Sequence, residues 1–112
     1  MKIDWAYMRK GWVSCKKAWT VTEEKNVIID TEVDAKKETC QSEDAWKLVQ
    51  SADKIIVASG QKTIEYDPAS ADKDEVLKKI TGRTGNLRAP ALRIGNVFYI
   101  GFNVGMYESL FA

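Results

Sequence analysis

The hydrophobic pattern begins at once: Ile3 to Met8 is apolar and aromatic enough for a first strand, and Arg9-Lys10-Gly11 interrupts it with a turn signal. The pattern then predicts a helix opening near Ser14 or Cys15 and running through Lys16-Lys17-Ala18-Trp19 to about Glu24, where Lys25-Asn26 ends it. Val27 to Thr31 is a short β-branched strand, and the polar stretch Glu32 to Thr39 follows as a connection. Ser42 suits an N-cap for a second helix carrying Ala45-Trp46 and Leu48-Val49 on one face.

Beyond Ser51-Ala52-Asp53, the runs Lys54 to Ala58 and Thr63 to Tyr66 read as a hairpin joined at Ser59-Gly60-Gln61. Asp72 and Glu75 form a capping-box pattern for a helix carrying Val76, Leu77 and Ile80, stopped by Gly82. A basic loop, Arg83 to Arg88, leads to two short strands, Ala91 to Ile94 and Val97 to Ile100, around Gly95-Asn96. Gly101-Phe102-Asn103 then enters a last helix through Met106, Tyr107, Leu110 and Phe111. Strand and helix alternate in the first half, which argues for a sheet with helices on its faces. The closing hairpin argues for an antiparallel edge, so the expected sheet is mixed.

The 112 residues amount to one domain, 1–112. Composition narrows the chemistry. There are 17 basic and 16 acidic side chains, a net charge of +1, which speaks against a generally basic nucleic-acid binder. Histidine is absent, so Ser-His-Asp and Cys-His catalysis and histidine metal sites are excluded within the chain. Two cysteines, Cys15 and Cys40, are too few for a disulfide framework, and no apolar run approaches the roughly 20 residues that span a bilayer. A reduced, soluble, cytoplasmic, monomeric protein is expected, with no metal, cofactor, nucleic-acid partner or membrane partner. The carboxylates at Glu23, Glu24, Asp72 and Asp74 fit helix-end charges better than an acid/base pair.

Trp12-Val13-Ser14-Cys15-Lys16-Lys17-Ala18 after the first strand, with Ala89-Pro90-Ala91-Leu92 before the final hairpin, resembles a thioredoxin-fold protein. Arg88 to Gly95, followed by Ile100-Gly101-Phe102-Asn103 and Tyr107, is similar to the C-terminal signature of the arsenate-reductase-like (ArsC/Spx) branch. The likeness covers both ends of the chain and matches Cys40 to Tyr66 only loosely. It implies an α/β thioredoxin-like three-layer fold, a mixed central sheet flanked by helices, and redox positions 12 and 15 at the start of the first helix. A helix N-terminus stabilises a thiolate there through unpaired N–H groups and partial positive charge.

The first redox position, that of the expected nucleophile, holds Trp12; Cys15 stands at the resolving position. Two readings of Trp12 stay open. In one, the redox pair is lost and the domain is a non-catalytic binding module or regulator. In the other, small proteins of this branch carrying Arg9-Lys10-Gly11 and Ser14-Cys15 look like selenoproteins, and Trp12 stands where selenocysteine or cysteine is native; the codons UGA and UGG differ by one base. That reading implies a thiol or selenol oxidoreductase acting on an oxidised small molecule or protein and regenerated by glutathione or thioredoxin. The chain as written, with Trp12, is then inactive. The resemblance further implies a cis bond at Pro90 and a substrate-binding edge at Arg88, Ala89 and Pro90. Arg83 and Arg93, with Arg88, form a candidate anion site, or equally solvated surface charge. The family's arginine before the proline is replaced by Ala89, which weighs against arsenate reduction. Cys40 reads as a half-buried side chain, or alternatively as a remote partner for Cys15.

Overall fold

Ile3, Ala6, Tyr7 and Met8 of β1 (Lys2–Met8) are buried and the strand pairs on both of its sides, which places it inside a mixed sheet. The computed structural model describes residues 2–9, 13–82 and 85–111. The remaining elements are α1 (Val13–Glu24), β2 (Ile28–Asp34), α2 (Ser42–Val49), β3 (Lys54–Ser59), β4 (Lys62–Tyr66), α3 (Lys73–Ile80), β5 (Ala91–Ile94), β6 (Val97–Ile100) and α4 (Val104–Leu110). The strand order is β2-β1-β5-β6-β3-β4; β1 runs parallel to β2 and β3 parallel to β6, and the other pairs are antiparallel. This is an α/β architecture with a mixed six-stranded sheet.

Each helix buries a stripe set by its period: Cys15, Ala18 and Thr22 on α1, Ala45 and Val49 on α2, Val76 and Ile80 on α3. Asn26, at a positive φ of 54°, ends α1, and the Val27 N–H closes back onto the Thr22 carbonyl at 2.9 Å. Met8 borders Trp19 of α1, whereas Trp5 and Tyr7, on the other side of β1, border Asp44 and Leu48 of α2. Phe102 and Val104 at the start of α4 meet α1, and an ion pair between Lys73 and Glu43 joins α3 to α2. The sheet therefore carries α1 and α4 on one face and α2 and α3 on the other. No helix is long and apolar enough to cross a membrane, among the described residues.

Four expectations are corrected. The β5–β6 hairpin is central rather than an edge: β5 pairs with β1 and β6 with β3, and Ala91, Leu92, Phe98 and Ile100 are all buried. Burial on both faces of so short a hairpin needs neighbours on both sides, and the edges are instead β2 and β4. Glu32 to Asp34 extends β2, because this edge strand has solvent beside it and tolerates alternating carboxylates. Gln41 rather than Ser42 is the α2 N-cap, since the Ser42 hydroxyl donates to the Gly85 carbonyl at 3.3 Å. Asp72 is the α3 N-cap as expected, but the side-chain capping bond that the capping-box pattern implied is not made.

Candidate functional site

One end of the sheet gathers the chemistry. The C-terminal ends of β1, β3 and β6, the N-terminal end of β5 and the first turn of α1 all open there. Cys15, in that first turn, is completely buried, and its Sγ accepts the Arg9 backbone N–H at 3.3 Å. Burial pushes the thiol above its ordinary value; the Arg9 N–H and the Arg9 charge oppose this and are outweighed. Cys15 is therefore a neutral, shielded thiol at neutral pH. Trp12 and Arg83, the expected nucleophile position and one expected arginine, lie outside the described residues.

The Ala89–Pro90 peptide is cis, both residues are buried, and the Pro90 carbonyl accepts the Gly101 N–H at 2.8 Å. That bond fixes the entry to β5 against the exit of β6. Arg88, expected at a substrate edge, directs its guanidinium inward: Nη1 donates to the Lys79 carbonyl at 3.1 Å, and both terminal nitrogens donate to the Ala58 carbonyl at 3.3 Å. Its backbone N–H also meets the Ile80 carbonyl at 2.8 Å. Lys79 and Ile80 close α3, so Arg88 satisfies carbonyls at a helix C-terminus. Burial lowers its pKa, and no carboxylate pairs with it among the described residues.

Arg93 lies elsewhere. It pairs in register with Trp5, two residues farther along β5 than Ala91, and its Nη1 donates to Gly95 in the turn at the opposite end. The structure thus does not bring Arg88 and Arg93 into one cluster. Cys40 is half-buried on the α2 side, facing the depression that holds Trp5, Tyr7 and Asp44. Burial first, then the Asp44 charge, pushes its thiol up. Cys15 and Cys40 are both free and belong to opposite faces of the sheet, whereas a disulfide needs Cα atoms within about 7 Å.

Asn86, given no role in the sequence, and Tyr107, named there only within the C-terminal signature, also stand at this end. Asn86 accepts the Cys40 N–H at 2.5 Å and donates to the Tyr7 hydroxyl at 3.2 Å, and that hydroxyl donates to the Glu38 carbonyl at 2.6 Å. Its position after a glycine in a polar loop gave no hint of these distant partners. Tyr107 is fully buried on α4, and its hydroxyl has no hydrogen-bond partner among the described residues. Burial pushes its pKa up strongly, and the nearby Cys15 adds to this. Asn103, read in the sequence only as part of the entry to the last helix, caps α4: its side chain accepts the Met106 N–H at 3.1 Å, a role that its residue type and position before a helix could have signalled.

The chain matches no family model and no curated protein in sequence comparison.

Proposed function

We propose that the chain is a thioredoxin-like domain of the arsenate-reductase-like branch, whose native chemistry is thiol or selenol exchange at positions 12 and 15. The observation that carries this reading is Cys15: a shielded thiol in the first turn of α1, held by the Arg9 N–H at the end of β1. That is the setting a resolving thiol requires, kept protonated and out of reach until a neighbouring residue forms a mixed bond. The order β2-β1-β5-β6, with α1 joining the parallel pair and α4 after the hairpin, supports the fold assignment. β3 and β4 add a hairpin at one edge.

A thiolate or selenolate at position 12 attacks one sulfur of an oxidised substrate and expels the other as a thiolate. Cys15 loses its proton, attacks the sulfur or selenium of position 12, forms the 12–15 bond and expels the remaining half of the substrate as its thiolate. Two equivalents of a thiol such as glutathione, or one of a dithiol such as thioredoxin, restore the pair. Trp12 cannot begin this sequence. A Trp12→Cys variant is expected to reduce a small disulfide in the presence of glutathione, and Trp12→Cys with Cys15→Ser to lose resolution and accumulate the mixed disulfide. No gain in Trp12→Cys sinks the redox reading.

The second reading, a non-catalytic binding module, draws support from the same complete burial of Cys15. It expects UGG at codon 12 of the native gene; UGA there decides for selenocysteine.

A further inference from the structure

Three large apolar side chains stand exposed among the described residues, Val13, Ile28 and Val104, and two of these border a single groove. Helix spacing sets Val13, Lys16, Lys17 and Val21 along one stripe of α1, and Phe102 and Val104 form the facing wall, around about 370 Å³. A depression of about 450 Å³ continues past Lys17, Phe102 and Val104 to Gly60 and Gln61 in the β3–β4 turn. Lys17 lines both and Lys16 the groove alone; these are the charged side chains of the lining, exposed and in no ion pair among the described residues. The acidic positions of α1 and α4, Glu23, Glu24 and Glu108, lie outside the lining.

An apolar floor with cations of one sign on its rim complements a ligand with the inverse arrangement. We propose that the groove between α1 and α4 is the docking site for an acidic segment of a protein partner, carrying one apolar side chain into the space between Val13, Phe102 and Val104. Its carboxylates face Lys16 and Lys17. The groove begins two residues from Cys15, so a segment bound there holds the partner beside the first turn of α1. The partner's identity as a redox substrate rests on the proposed exchange reading; the docking itself needs no nucleophile at position 12.

The test uses the full chain with Trp12 and a fluorescein-labelled peptide in which glutamates flank a single leucine, read by fluorescence anisotropy. Saturable binding that weakens with added salt is expected. Peptides with lysines for the glutamates, or serine for the leucine, should bind much less. Lys16→Glu with Lys17→Glu should weaken binding about tenfold or more while leaving the melting temperature near that of the parent, since both side chains are exposed. Absent binding, equal binding of the lysine peptide, or undiminished binding by the double variant overturns the proposal. A parent dimer that the same double variant dissociates overturns it too, because the occupant is then a second copy. Binding without exchange activity in Trp12→Cys leaves the docking site standing and removes the redox reading; exchange without binding does the reverse.

Discussion

The Tyr107 hydroxyl is the clearest case of a polar group placed without a partner, and it sits near a thiol. Leaving a buried hydroxyl unpaired costs about 1–3 kcal/mol, so Tyr107→Phe is expected to leave stability unchanged or raise it by up to about that amount in urea unfolding. A loss of more than about 1 kcal/mol would mean that the hydroxyl is paired in solution. Cys15 was legible as the thiol at the start of a helix because motif and helix onset coincide in the chain. Arg88 was not. Where its guanidinium points is decided by Lys79 and Ala58, one on a helix and one on a strand, and nothing at position 88 foretells them.

Among the elements, those with strong periodicity or turn chemistry were readable: β5 and β6 around Gly95, whose φ of 62° suits a two-residue turn, and α1 up to Asn26. What the pattern could not give was neighbourhood. A hairpin of two four-residue strands looks alike at an edge and in the middle, and the inserted β3–β4 pair is what moved it inward. The link from β6 to α4 shows a tighter dependence. Gly101 has a φ of 84°, and a Cβ there would lie 2.8 Å from Arg88 Nη2 and 3.3 Å from Ala58 Cβ. Gly101→Ala is therefore expected to destabilise by about 1–3 kcal/mol, from backbone strain and displacement of the Arg88 head together, as read by the denaturant midpoint. Arg88→Ala with Gly101→Ala should lose less than the sum of the single changes, because the space one needs is vacated by the other.

Over the whole molecule, burial raises the pKa of Cys15, Cys40, Tyr7, Tyr99 and Tyr107 alike. Each is an acid whose neutral form the fold favours, so the unfolded chain releases these protons first. Their contribution to stability is intact below the ordinary thiol value of 9.0 and declines as pH rises past it toward the folded values. Melting temperature is expected to fall as pH rises above about 9, and Cys15→Ala should flatten the early part of that fall. A flat profile would contradict the burial of these groups. The β3–β4 hairpin has a different kind of consequence. Among the described residues it joins the sheet only through β6, yet its turn borders the depression that continues the α1–α4 groove, where the Asn103 side chain donates to the Gly60 carbonyl at 3.0 Å. Changes in the length or composition of this turn would reshape the groove without disturbing β1 or the first turn of α1. The proposed docking groove and the setting of the Cys15 thiol are thus built from separable parts, so an altered β3–β4 turn would change the one and leave the other as it is.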